Sequence, residues 1–230
     1  MSIQDNDFKA RYSFAEKVSP FSDFTNLQRG AYRHVFKRVF DCALVLLSAP
    51  IVAPIVFFLA FLISRDGHHP FYKQERIGKN GRVFTMWKLR TMVSDADQRL
   101  QDHLQECHHA RQEWNEKQKL ADDPRITSFG LLLRKTSLDE LPQLWNVLIG
   151  DMSIVGPRPM MPDQRDLYPG RAYYEMRPGV TGYWQISDRN KTTFAARAKF
   201  DNRYYEDVSL STDASIILST VGVVLRGTGC

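Results

Sequence analysis

The sequence predicts an α+β fold, mostly helical: a re-entrant membrane helix hairpin attached to a compact cytoplasmic catalytic domain with a little β-structure. Three observations predict it. Residues 42–63 form a run of 22 uncharged residues, basic residues flank that run on both sides, and one strand-like alternation interrupts an otherwise helical pattern. The expected division is a polar segment 1–30, the hairpin with its basic flanks 31–68, and the catalytic domain 69–230.

Composition sets the outer limits. At 230 residues the chain is long enough to bury a real core. Its 43% hydrophobic and 12% aromatic content excludes a wholly disordered chain. Its mean hydropathy of −0.37 excludes a polytopic membrane protein. Three scattered cysteines, Cys42, Cys107 and Cys230, make no disulfide framework and point to a reducing compartment. Cys230 has no residue after it and is not a prenylation box. Net charge is +5, but residues 31–90 hold ten Lys or Arg against three Asp or Glu, a net of +7. The rest of the chain therefore nets −2.

The first element, after a polar 1–30 read as loop with at most one surface helix, is the apolar run CALVLLSAPIVAPIVFFLAFLI. As a straight helix it is about 33 Å long, enough to cross a bilayer. It starts too far in to be an ordinary signal peptide. Pro50 and Pro54 each remove a backbone donor and predict a bend between them. Ser48, one turn earlier, is placed to bond a freed carbonyl. Arg33, Lys37 and Arg38 precede the run, and Arg65, Lys73, Arg76 and Lys79 follow it. Basic flanks prefer the cytoplasmic side, and here both ends ask for it. A helix that enters, bends at the prolines and leaves by the same face satisfies both, with arms of about 12–14 Å. A kinked span and a buried core helix are the alternatives.

Residues 82–91 (RVFTMWKLRT) alternate as a strand, with Val83, Thr85, Trp87 and Leu89 on one face and Lys88 and Arg90 on the other. Residues 94–120 read as one charged surface helix with a narrow stripe of Leu100, Leu104, Cys107, Arg111 and Trp114. Helical turns follow at 138–148 and 163–176, a turn-rich stretch at 177–182, and a helix from about 192 to 206. The apolar stretch 214–225 is too short to span, and is either a core element or an interface-lying helix.

The chemistry concentrates in 134–151, RKTSLDELPQLWNVLIGD. Ser137 and Glu140 fit the S-x-x-E capping box, in which Glu140 merely caps and Asp139 suits the positive helix end. Pro142 argues for more, because a helix capped at Ser137 carries that proline inside it. A helix start also favours ionised carboxylates and attracts phosphate. Adjacent helical residues point roughly 100° apart, so one of Asp139 and Glu140 can attack while the other holds a metal. Arg158, set between Pro157 and Pro159, starts from a rigid base and suits bidentate phosphate binding, the bland alternative being a solvated loop arginine. Arg177 precedes another Pro-Gly turn. Lys88, Arg90, Arg134, Arg158 and Arg177 are the candidate lining of one anionic-ligand pocket, which implies a phosphate-rich substrate at a membrane surface.

Other signals carry less. Asp95 and Asp97 form a D-x-D triplet but open a solvated helix, so they read as first-turn acids. A metal-dependent glycosyltransferase using them is the weakest alternative, and it would release UDP. His103, Cys107, His108 and His109 share helical spacing, whereas zinc wants ligands from more than one element. There is no P-loop, no G-x-G-x-x-G and no nucleic-acid-binding signature.

Taken together, KRVFD before the apolar run, the proline-bent run itself, QERIGKNGRVFTMWKLRTM, TSLDELPQLWNVLIGDMSIVGPRP, RPGVTGYWQI and the block 200–230 resemble the small monotopic phosphoglycosyl transferases of bacteria. These are polyprenyl-phosphate hexose-1-phosphate transferases, and the likeness is to the exopolysaccharide-initiating enzymes of the succinoglycan type. The resemblance runs from about Lys37 onward. It implies a re-entrant hairpin in the bacterial inner membrane, bent at Pro50 and Pro54, with the active site on the cytoplasmic face. It implies Mg²⁺-dependent transfer of hexose-1-phosphate from a UDP-hexose to polyprenyl (undecaprenyl) phosphate, releasing UMP. Asp139 would be the nucleophile, Glu140 with Asp139 would hold the metal, and Lys88, Arg90, Arg134 and Arg158 would contact phosphates. Many members have Ser-Pro at the bend where this chain has Ala49 and Pro50, with Ser48 one residue earlier, so the hydroxyl at the bend is displaced or lost. Galactose and glucose are the favoured hexoses. A homodimer is one open arrangement, and nucleic acid is not an expected partner. The reading from a different class is a non-catalytic membrane-anchored partner of a polysaccharide assembly complex.

Overall fold

The structure is a computed structural model that describes residues 30–117, 120, 122–187 and 194–225. The segment read as polar loop, residues 1–29, lies outside the described residues. The architecture is mostly helical with two small sheets, α+β as expected.

The apolar run forms one continuous helix, α1 (Lys37–Ser64), entered through a π-helical turn at Tyr32–Phe36. Pro50 and Pro54 lie inside it, and no loop separates two arms. Pro50 cannot donate to the Leu46 carbonyl, but Ser48 Oγ does not fill that gap. It donates to the Val45 carbonyl at 3.0 Å. The two ends of α1 rest on the same body. Val45 packs with Phe84, Met86, Val147 and Met152, while Leu59, Ala60 and Ile63 pack with Leu89 and Leu133. Between and beside these contacts Leu46, Leu47, Ile51, Phe57, Phe58 and Phe61 are exposed, so the helix turns most of its apolar surface away from the protein.

Two buried acids anchor the start of α1. Asp41 accepts from Ser153 Oγ at 2.7 Å and from the Ile154 amide at 3.1 Å. Asp213 accepts from Tyr32 at 2.7 Å, Tyr204 at 2.6 Å and Lys37 at 2.6 Å. Arg33 stacks on Tyr205 and donates to its carbonyl. A charge next to an apolar run is thereby satisfied inside the protein.

Strands β1 (Phe71–Ile77) and β2 (Val83–Leu89) pair as an antiparallel hairpin with Phe71 opposite Leu89 and Ile77 opposite Val83. Asn80 and Gly81 take left-handed φ of 58° and 74° to close it. The expected strand is present with the expected alternation, Val83, Thr85, Trp87 and Leu89 on one face and Lys88 on the other. Phe84 and Met86 are buried, whereas Val83 and Thr85 are exposed. Both parities of VFTMWKL carry apolar residues, and α1 covers the Phe84–Met86 side. Leu89 is also buried, at the strand end where α1 returns.

The expected long surface helix is two helices, α2 (Ala96–Glu106) and α3 (His108–Lys117), because Cys107 is extended. Helix α4 (Ser128–Lys135) is capped by Thr127 Oγ1, which accepts from Gly130 N at 2.9 Å. A short 3₁₀ turn, Leu138–Glu140, leads to α5 (Gln143–Ile149). Strand β3 (Ser153–Val155) pairs in parallel with β4 (Gly179–Thr181), inside the stretch read as turn. Glycine is needed there: a Cβ on Gly179 would lie 2.1 Å from Gly156 N. Short helix α6 (Ala172–Glu175) precedes β4, and α7 (Tyr183–Ile186) follows it. Helices α8 (Arg197–Asp207) and α9 (Leu210–Leu225) complete the body. Helix α9 is partly core and partly surface: Ile216 is 1% exposed and Leu218 is 73% exposed.

Asp213→Ala should destabilise the fold by about 3–5 kcal/mol, because it strands the Lys37 charge and two buried hydroxyls. Asp213→Asn should cost less, since it keeps an acceptor. Denaturant unfolding in detergent micelles checks both, and equal stability of the three proteins would contradict the anchoring role.

Candidate active site

The turn after α4 sets the site. Ser137 adopts φ 55°, a left-handed conformation unusual for a residue with a side chain. Its side chain makes no cap bond, so the expected capping box does not form. The reversed backbone swings residues 138–140 toward β2. Pro142 is not inside a helix either. It occupies the position before α5 with φ −62°, where proline's missing N–H costs nothing.

Asp139 is buried, at 6% exposure. Lys88 Nζ, reaching from β2, lies 2.7 Å from Glu140 Oε1 and 4.0 Å from Asp139 Oδ2. Burial pushes the Asp139 carboxyl up, and the neighbouring Glu140 adds to the rise, while Lys88 and Arg134 oppose it. Burial pulls the Arg134 guanidinium down, with Asp139 and Asp123 acting against that. Arg134 Nε is held by Thr91 Oγ1 at 2.9 Å. A narrow cleft beside this pair is lined by Lys88, Glu140, Gln143, Arg76 and Arg158. Two carboxylates and several cations at one cleft form a setting for phosphoryl chemistry, in which one carboxylate can attack and the cations offset phosphate charge.

Of the candidate residues, the structure brings together Asp139, Glu140, Lys88, Arg134 and Arg158. It places Arg90 and Arg177 elsewhere. Arg90 pairs with Asp66 at 2.6 Å and donates to the carbonyls of His69 and Ile63 at 2.9 and 3.3 Å, closing the end of α1. Arg177 Nε donates to the Gly150 carbonyl at 2.9 Å, at the end of α5. Helix ends leave carbonyls unpaired, and a nearby arginine is drawn to them. Asp95 is exposed and pairs with Arg99 at 2.9 Å. Among the described residues no group of three or more His, Cys, Asp or Glu is arranged to hold a metal, including the His103–His109 cluster.

Residues 32–227 match the family described as bacterial sugar transferase. The chain belongs to this family. It is 42% identical over 220 residues to a UDP-galactose-lipid carrier transferase of Erwinia amylovora, covering 95% of this chain and 46% of that protein. It is 40% identical over 220 residues to an undecaprenyl-phosphate galactose phosphotransferase of Salmonella typhimurium, with the same coverage of 95% and 46%. To the exopolysaccharide production protein ExoY of Sinorhizobium fredii it is 42% identical over 212 residues, covering 90% of this chain and 94% of that protein. The chain thus spans about half the length of the first two relatives and nearly all of the third.

At this cleft, sequence reasoning missed Arg76 and Gln143. Arg76 was counted in the basic collar, and only its place on β1, opposite Phe84, aims it at the cleft. Gln143, 2% exposed, carried no sequence signal at all. A further acid lies on α8. Asp201 accepts from the Tyr168 hydroxyl at 2.6 Å, and burial raises its carboxyl from 3.8 to about 6.

A raised folded value means the native state keeps a proton that the unfolded chain has lost. The Asp201 contribution to stability is therefore full below about pH 4 and is lost as pH rises through about 6. The stability gap between wild type and Asp201→Asn should change by roughly 2–3 kcal/mol between pH 4 and pH 7. Unfolding curves at the two pH values measure it, and a gap that does not move with pH would contradict the assignment.

Proposed function

We propose that the chain transfers hexose-1-phosphate from a UDP-hexose to polyprenyl (undecaprenyl) phosphate through a covalent aspartyl intermediate on Asp139, releasing UMP. This is the first membrane step of exopolysaccharide synthesis. The observation that carries the reading is the buried Asp139–Glu140 turn held against Lys88 at the mouth of a cationic cleft. The relatives named for galactose phosphotransfer to a lipid carrier and for exopolysaccharide production support it.

The Asp139 carboxylate attacks the sugar-bearing phosphorus. An O–P bond forms to Asp139, the bond to the nucleotide phosphate breaks, and the electron pair leaves with UMP. A phosphate oxygen of the lipid acceptor then attacks the same phosphorus and returns Asp139 to its starting form. Splitting one displacement into two lets each partner approach separately. Lys88 favours ionised Asp139 against the effect of burial. Lys88, Arg134 and Arg158 offset charge on the transferring phosphate.

Mg²⁺ fits the donor set. It is usually held by one or two carboxylates with substrate phosphates and waters completing the shell, and Asp139 and Glu140 supply two adjacent carboxylates. When bound, Mg²⁺ neutralises diphosphate charge.

The membrane reading rests on α1. Its exposed apolar flank calls for lipid, and both of its ends touch the same body. A helix crossing a bilayer about 30 Å thick would carry its ends to opposite sides. Contacts at both ends support entry and exit through one face, with the catalytic body in the cytoplasm and the bend at Pro50 and Pro54.

Asp139→Asn should lower UMP release by about 10⁴-fold or more, the scale of losing a nucleophile. It should also abolish the covalent adduct. Radiolabelled sugar-phosphate retained on the Asn variant would rule Asp139 out. A panel of UDP-sugars identifies the hexose. For topology, tags at the two ends of the chain should react alike with a membrane-impermeant reagent in sealed vesicles, and opposite accessibility would exclude re-entry.

A further inference from the structure

Beyond the carboxylate pair lie three arginines that form no ion pair among the described residues: Arg76 and Arg158 line the cleft, and Arg197 adjoins Arg158. Arg76 Nη1 donates to the Pro159 carbonyl at 3.2 Å and Nη2 to Gln74, but its Nε is buried with no partner. Arg197 Nε is likewise buried without a partner. The Arg197 guanidinium lies 4.2 Å over the Trp184 ring and 4.6 Å over Phe194. Arg158 lies 5.5 Å over the same tryptophan and lines the cleft with Arg76. Next along α7, Gln185 is buried with neither Oε1 nor Nε2 bonded. Among the described residues, no carboxylate forms an ion pair with Arg76, Arg158 or Arg197.

Gathering three permanent cations in a half-buried place is unfavourable without an anion. Burial pulls both Arg76 and Arg197 down to about 10, and in each the neighbouring Arg158 charge is the next cause, with Glu140 acting against the fall in Arg76 and Asp201 against it in Arg197. Arginine keeps its proton far more firmly than that in water. The strain is electrostatic and is relieved by a bound anion. Stacking on Trp184 fixes two of the forks while leaving their N–H edges for a ligand.

We propose that Arg158 and Arg197, ordered by Trp184, form with Arg76 a leaving-group subsite that holds the nucleotide-side phosphate of the donor. The assignment rests on the transferase reading above. In-line displacement puts the departing oxygen on the side of phosphorus opposite the attacking group. Glu140 and Lys88 line one part of the cleft with Asp139 beside them, Arg76 and Arg158 are its remaining cationic lining, and Arg197 adjoins Arg158 across Trp184. When the P–O bond breaks, its electron pair becomes charge on the nucleoside monophosphate, and the arginines neutralise that charge as it forms. The same cationic chemistry suits the phosphate of the lipid acceptor, and the half-reactions separate the two sources.

The test uses the full chain in lipid nanodiscs. UMP and uridine are compared as ligands for wild type, Arg197→Gln, Arg76→Gln and the charge-preserving Arg197→Lys. The preference for UMP over uridine should fall at least tenfold in each Gln variant, uridine affinity should stay as in wild type, and Arg197→Lys should retain part of the preference. Adduct formation with UMP release should slow in the Gln variants before any lipid is added. An unchanged UMP preference overturns the subsite, and equal loss of UMP and uridine overturns it too, by reducing the arginines to a structural role. Adduct formation at the wild-type rate with loss of transfer to polyprenyl phosphate would move the site to the acceptor. If wild type binds UMP but makes no adduct, the transferase reading fails while the UMP preference still decides the subsite.

Discussion

The side chain of Asn146 stands in for a missing strand. One edge of β2 pairs with β1, and the other would be left open. Asn146 Nδ2 donates to the Thr85 carbonyl at 2.7 Å and its Oδ1 accepts from the Trp87 amide at 3.1 Å. The amide thus satisfies a donor and an acceptor that burial would otherwise make costly. Its own backbone carbonyl receives the amides of Gly150, Asp151 and Met152 at 3.2, 3.0 and 3.1 Å, which ends α5. One fully buried residue therefore locks α5 onto β2. The Asp139–Glu140 turn leads into that helix, and Lys88 is the residue after Trp87. Their 2.7 Å contact is a consequence of this register.

A second constraint acts at the start of α1. An apolar helix with most of its surface exposed has no packing reason to adopt one orientation on the body. Polar contacts at its start provide one. Asp41 ties it to β3, while Asp213 of α9 gathers Tyr32 and Lys37 from the entry to α1 and Tyr204 from α8. Such buried polar groups specify a register more than they stabilise it, since burial desolvates them as well. In this chain the register sets where the exposed apolar flank of α1 lies relative to the cleft.

Much of this was legible in the sequence, and the losses have physical causes. Hydrophobic length and charge pattern revealed α1, and alternation revealed β2. Alternation alone does not say which face of β2 is buried, because Val83, Trp87 and Leu89 compete with Phe84 and Met86 for the inside, and only the position of α1 decides. Cys107 splits the charged helix without proline or glycine to announce it. The carboxylate pair stood out, but through a capping box that the left-handed Ser137 does not make. The strain of that residue is what turns the carboxylates toward Lys88, and a serine in sequence gives no sign of its φ. Gln143, Asn146 and Arg197 are contacts of tertiary structure, and no local pattern marks them.

The basic collar shows why charge counts alone mislead. Its arginines are one residue type with two fates. Arg38 reaches the Val147 and Leu148 carbonyls, and Arg90 reaches Ile63, so both are consumed by helix ends. Each such bond replaces water on an orphan carbonyl with a fixed cation, so these arginines are already satisfied by the protein. Arg76, from the same collar, keeps a buried Nε with no partner. The difference lies in whether a protein acceptor comes within reach when the elements pack. A cation that packing leaves unsatisfied beside a cleft retains the free energy that a phosphate can recover, and a cation that caps a helix does not.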